Sequence, residues 1–83
     1  KGYMMKFKYV VGFISGYKAA IVFPEYVVHA DASRCLEPIS AGFFYATDDE
    51  VIPYGESISL RLKSNPDDAR LIGEAIGHPE YMR

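Results

Sequence analysis

Apolar and polar positions alternate from the start of the chain. In Lys6 to Ser15 (KFKYVVGFIS), Phe7, Tyr9, Val11 and Phe13 fall on one face of an extended strand, and Lys6, Lys8 and Val10 fall on the other. Ser15-Gly16 interrupts the run, and Gly16 is free to take a positive φ. Residues 18–23 (KAAIVF) resume a short apolar strand that Pro24 ends, so the segment predicts a hairpin. The spacing then changes. Val28, Ala32, Cys35 and Leu36 follow the period of a helix face, and Glu37-Pro38 stops that helix. Ile39 to Thr47 (ISAGFFYAT) is aromatic and strand-like, with Ile39, Ala41, Phe43 and Tyr45 on one side and Phe44 on the other. A polar turn with Asx chemistry is expected at residues 47–50.

Residues 51–63 (VIPYGESISLRLK) alternate again. Ile52, Tyr54, Ile58, Leu60 and Leu62 share one parity, and Ser57, Ser59, Arg61 and Lys63 share the other. Pro53 lacks an amide donor and Gly55 invites a bulge, so the first half predicts an edge or kinked strand. The last element carries its own start and stop signals. Asn65 is a suitable N-cap, Pro66 suits the first helical position, and Asp67 and Asp68 favour the positive end of the helix dipole. Ala69, Ile72 and Ile76 form its apolar stripe, and Gly77 with Pro79 ends it. The expected fold is α+β, with an antiparallel sheet of about four strands and two short helices in the order β-β-α-β-β-α. Residues 1–83 form one domain. Lys1 to Met4 are expected to be a remnant or trimmed end, with Met4 or Met5 as the native start.

Composition adds a constraint. A core built from 83 residues rarely yields more than ~3–5 kcal/mol without disulfides, a metal or association. The chain has one cysteine, so no intrachain disulfide forms. Cys35, His29 and His78 show no metal-ligand spacing, and neither a metal nor a cofactor is expected. Apolar residues make up 49 % of the chain, and seven Tyr and five Phe stand among them. That richness points to self-association. The two expected helices cover one face of the sheet, which leaves apolar groups on the second face bare. The patch would exceed the few hundred Å² that monomers usually tolerate. A homodimer, packed sheet on sheet or edge to edge, resolves this, with Val10, Ile14 and Phe44 at the contact and Glu56 at its rim. Glu56 shares the apolar parity of residues 52–60. It is therefore either an interface anchor or a group that a bulge at Gly55 turns into water.

Charge excludes some functions. The net charge is −2, which is not the basic excess of most nucleic-acid-binding domains. Lys6 and Lys8 alternate with Phe7 and Tyr9, and Lys18 follows in the hairpin. Single-stranded nucleic acid needs lysines and stacking rings on one surface, and a strand puts them on opposite faces. No apolar run reaches the ~20 residues of a membrane span. His29, Asp31, Ser33 and Cys35 carry the side-chain types of a hydrolase. On a helix, however, His29 and Asp31 lie about 200° apart, Ser33 has no nucleophile elbow, and Cys35 falls on the buried stripe. The acids at 48–50 lack the spacing of a calcium loop.

PISAGFF at 38–44 and YGESISLRLKSNPDDARLI at 54–72 resemble segments of small uncharacterised proteins of bacterial phages and prophages. The order H-A-D-A at 29–32, S-A-G-F at 40–43, G-E-S-x-S-L at 55–60 and P-D-D-A at 66–69 is similar as well. The resemblance covers most of the chain from about Lys6. It implies only a bacterial cytoplasmic, mobile-element setting, and no activity or site residues; a host or phage protein partner is a separate expectation. The resulting expectation is a small non-enzymatic binding or regulatory protein acting as a homodimer. The alternative is a nucleic-acid-binding accessory protein that uses Lys6, Lys8 and Lys18.

Overall fold

In the computed structural model, which describes residues 6–81, the first alternating run forms a hairpin. Strand β1 (Phe7–Ile14) pairs with β2 (Tyr17–Pro24) without interruption, from Phe7 opposite Pro24 to Ile14 opposite Tyr17. Ser15 and Gly16 have φ of 50° and 85°. Left-handed backbone at both turn positions matches the twist of the flanking strands. Strand β3 (Glu37–Ala46) pairs with the other side of β1, and β4 (Val51–Tyr54) pairs with β3. The sheet is antiparallel throughout, in the order β2-β1-β3-β4. The β1–β3 register shifts between Val11 and Gly12: Val11 faces Ser40, Gly12 faces Pro38, and Ile39 is left as the extra residue. A side chain at position 12 would meet the Glu37 carbonyl, so glycine allows this close approach. Thr47, not an Asp, organises the turn into β4. Its Oγ1 accepts the amide N–H groups of Asp49 and Glu50.

Both faces of the sheet are covered within one chain, which overturns the expected bare face. Helix α2 (Asp68–Ile76) packs over one side, where Tyr9, Val11, Phe44, Val51 and Ile72 form a core. On the other side Val10, Phe23, Leu36 and Ala41 form a second core. Its cover consists of α1 (His29–Ala32) and a separate hairpin, β5 (Glu56–Ser57) with β6 (Leu62–Lys63), which contributes Leu60 and Leu62. The helices therefore lie on opposite faces. Val10 is 0 % exposed and Phe44 3 % exposed, on opposite sides of the sheet. Neither reaches the surface expected of an interface residue.

The hairpin arises because residues 51–63 do not remain one strand. Gly55 takes φ 76° and ends β4, and Arg61 takes φ 58° in the 58–61 turn. The alternation is lost between these two breaks. Ser57, expected outside, is 1 % exposed, and Ile58, expected inside, is 86 % exposed. Glu56 faces water, the outcome expected of a break at Gly55. Helix α1 is also shorter than its spacing predicts. It closes after Ala32, turns follow, and Cys35 is exposed instead of lying on a buried stripe.

Helix α2 begins at Asp68 with Asp67 at its N-cap, two residues later than Asn65 and Pro66 predict; Asn65 instead caps the turn that leads into it. The Asn65 Oδ1 accepts the Asp67 N–H at 2.9 Å, and Asp68 Oδ2 accepts the Asn65 N–H at 3.0 Å. Both groups satisfy donors that a helix start leaves open. Asp68 lies in the first turn, as its place at the positive end of the helix dipole predicts. It is 4 % exposed, and the Tyr9 hydroxyl donates to its Oδ2. Ile76, expected on the apolar stripe, is 38 % exposed.

Candidate functional site

The second face carries an open cleft of about 590 Å³ between α1 and the small hairpin, lined by Lys8, Val28, His29, Phe43, Gly55, Glu56, Ile58 and Ser59. Its floor comes from the sheet. Lys8 on β1 and Phe43 on β3 are register partners, so their side chains share this face. The Lys8 Nζ donates to the Val27 carbonyl at 2.8 Å and lies 6.0 Å from the centre of the Phe43 ring. An ammonium has three N–H donors, so two remain for a ligand. Phe43 also stacks on Tyr54, with ring centres 5.7 Å apart, which fixes its orientation.

His29 stands at the first position of α1 and is buried. Phe23 and Phe43 meet its ring edge-on, at 5.4 and 5.8 Å between centres. Its Nε2 lies 2.9 Å from the Gly42 carbonyl, which is only an acceptor, so Nε2 carries the proton and Nδ1 the lone pair of the neutral ring. Burial lowers its pKa, the Gly42 bond opposes that shift, and the nearby Lys8 charge reinforces it. The ring is thus held neutral as an anchor that ties α1 to β3. A side chain at Gly42 would meet the Tyr54 carbonyl at 2.6 Å, so glycine allows β3 to run close to β4 at this point.

The small hairpin forms the outer wall. The Ser59 Oγ accepts the Ala30 N–H at 3.2 Å and lies 3.4 Å from the Ser57 Oγ, which in turn accepts the Leu60 N–H. These bonds link the 58–61 turn to the start of α1. Ile58, fixed at the rim, is 86 % exposed, and Val28 across from it is 48 % exposed. Ile58 and Val28 give the cleft an apolar rim that is continuous with the Phe43 floor. Glu56 makes no ion pair among the described residues.

The candidate hydrolase side chains are not assembled. His29 belongs to the cleft. The Ser33 Oγ spends its proton on the Ala30 carbonyl, and Asp31 pairs with Arg34 at the surface. Cys35 opens instead to a different groove, with Phe13, Arg34 and Glu37. Among the described residues no three His, Cys, Asp or Glu side chains are placed to hold a metal ion. The basic residues are divided as well. Lys8 faces the cleft. Lys18, on β2, faces the α2 side with Leu71 and Glu74, and Lys6 precedes β1. Of the expected interface residues, only Glu56 reaches the cleft. Ile14 is 37 % exposed beside the β1–β2 turn.

The chain matches no family model, no curated protein and no solved structure. No helix among the described residues is long and apolar enough to cross a membrane. Nothing in the sequence groups Lys8, His29 and Glu56, which the cleft brings together. Ile58 and Ser57 lie on the sides opposite to those their spacing predicts. A signal was available in Gly55, whose break turns Ser57 inward and Ile58 outward, while Leu60 and Leu62 keep the inward side that the alternation predicts.

Proposed function

We propose that this chain is a small non-enzymatic binding protein whose recognition surface is the cleft between α1 and the β5–β6 hairpin. The occupant is an apolar side chain of a partner protein, with a carboxylate beside it. The observation that carries the reading is Ile58, held 86 % exposed at the rim of a cleft that contains a tethered ammonium. The floor offers the Phe43 ring to an apolar anchor, and the two remaining Lys8 donors suit a carboxylate. Val28 and Ile58 carry the apolar surface beyond the cleft, which favours a protein partner over a small ligand buried inside it. A binding role fits His29 better than catalysis does, because its Nε2 is committed to Gly42 and no nucleophile among the described residues is paired with it. The motif resemblance gives the setting of this reading, the bacterial cytoplasm, and the partner is a phage or host protein.

Affinity capture with quantitative mass spectrometry tests the proposal. Three baits are compared: the native chain, Ile58→Asp, and Lys63→Glu as a control on the exposed part of the same hairpin. The reading expects a partner that the native and Lys63→Glu baits enrich and Ile58→Asp loses. Identical capture by native and Ile58→Asp baits refutes it.

A further inference from the structure

Strand β2 is an edge of the sheet, and among the described residues it pairs only with β1. The two edges differ in kind. The β4 edge is four residues long and contains Pro53, two ordinary ways of blunting an edge. The β2 edge is eight residues long and pairs with β1 without a bulge. Between Lys18 and Pro24 it holds only Ala19, Ala20, Ile21, Val22 and Phe23. A long, unbulged, apolar edge of this kind is a template for another strand.

We infer that two copies of this chain join through β2, pairing antiparallel across a two-fold axis at Ala20 to make one continuous sheet. This inference is independent of the cleft on the α1 face. The hairpin geometry selects the register. Ile14 and Tyr17 flank a two-residue turn and exchange bonds with each other, so Tyr17, Ala19, Ile21 and Phe23 direct their amides toward β1. Lys18, Ala20 and Val22 therefore direct theirs outward. Centring the axis on Ala20 places Ala20 opposite its own copy and Lys18 opposite Val22 of the other copy. Every outward N–H is then matched, and Pro24, which has none, falls outside the ladder. Centring on Ile21 would place Pro24 opposite Lys18 and leave a bond unmade. The same register sets Tyr17, now 78 % exposed, against Phe23 of the other copy. On the α2 side, the groove lined by Lys18, Ala20, Leu71 and Ala75 leaves room at the axis, because Ala20 is small. A sequence that satisfies its own edge in this way points to a second copy of itself, not to an unrelated strand.

The test combines mass with position. Light scattering at micromolar concentration should report about twice the 9.3 kDa chain mass. Tyr17→Glu, at an exposed position that the fold does not need, should weaken the dimer about tenfold or more. In a Cys35→Ser background, Ala20→Cys should cross-link two chains when oxidised glutathione is added, since directly opposed Cα atoms lie within disulfide reach. Lys63→Cys in the same background should not. A monomer at these concentrations overturns the inference. So does a dimer that Tyr17→Glu leaves intact and that Ala20→Cys fails to link.

Discussion

Removing one buried hydroxyl, Tyr9→Phe, tests how the sheet is joined to α2. Tyr9 is 0 % exposed at the centre of the sheet, and Asp68 is 4 % exposed at the start of the helix. The hydroxyl donates to Asp68 Oδ2 at 2.5 Å, and the same oxygen accepts the Asn65 N–H. The substitution keeps the ring and its edge contact with Phe44, so it deletes only the donor. A hydrogen bond to a charged group contributes ~1.5–3 kcal/mol, and a buried carboxylate that loses a donor cannot readily replace it with water. Against a core that yields ~3–5 kcal/mol, the loss is about half of the total. In a chain of this length it lowers Tm by on the order of 10 °C. Urea titrations of Tyr9→Phe, Asp68→Ala and the double variant should give a coupling of at least about 1 kcal/mol. Alkaline pH supplies a second readout. Burial, with the hydrogen bond to Asp68 and its charge, raises the Tyr9 pKa far above its ordinary value. The folded state therefore keeps this proton where the unfolded state loses it. The contribution is full below about pH 10 and declines as pH rises above it, and Tyr9→Phe should lack that part of the decline. A Tyr9→Phe protein within ~0.5 kcal/mol of native stability, with an unchanged alkaline limb, would refute the reasoning.

Acid should act through His29, whose folded pKa is lowered, so that the unfolded state takes up its proton first. Its contribution is full above about pH 6.5 and falls as pH drops below that value, and the urea midpoint of His29→Gln should be flatter between about pH 6.5 and 5. Gly12→Ala pushes a methyl group into the Glu37 carbonyl at the β1–β3 register shift and should cost ~1–3 kcal/mol in denaturant titration. Asn65→Ala removes the acceptor of the Asp67 N–H and should cost ~0.5–2 kcal/mol by the same measurement.

The N-terminal hairpin and β3 were legible because their alternation is long and each ends at Gly16, Pro24 or the polar 47–50 segment. Helix α2 was legible from Asn65-Pro66 and Gly77. The cover of the second sheet face was not. It depends on left-handed backbone at Gly55 and Arg61, and an arginine in that conformation has no sequence signature. Without those breaks, residues 51–63 read as one strand and the hairpin vanishes, and the cleft vanishes with it. The burial of Asp68 was hidden for a related reason. An aspartate at a helix start ordinarily faces water, and here the distant Tyr9 hydroxyl joins the local Asn65 N–H in satisfying the buried carboxylate. The helical period around Val28 continues in the sequence past the single turn that tertiary packing retains, so Cys35 lies beyond the helix and is exposed.

Photo-crosslinking inside cells tests the central claim most directly, because it reports what lies against the cleft. A photoreactive phenylalanine is placed at Ile58, and in a separate chain at Glu74 on the opposite face. The account predicts a specific adduct with one partner protein from position 58, absent from position 74 and suppressed by Lys8→Glu. Irradiation that yields no adduct from position 58, or the same adducts from both positions, would contradict it.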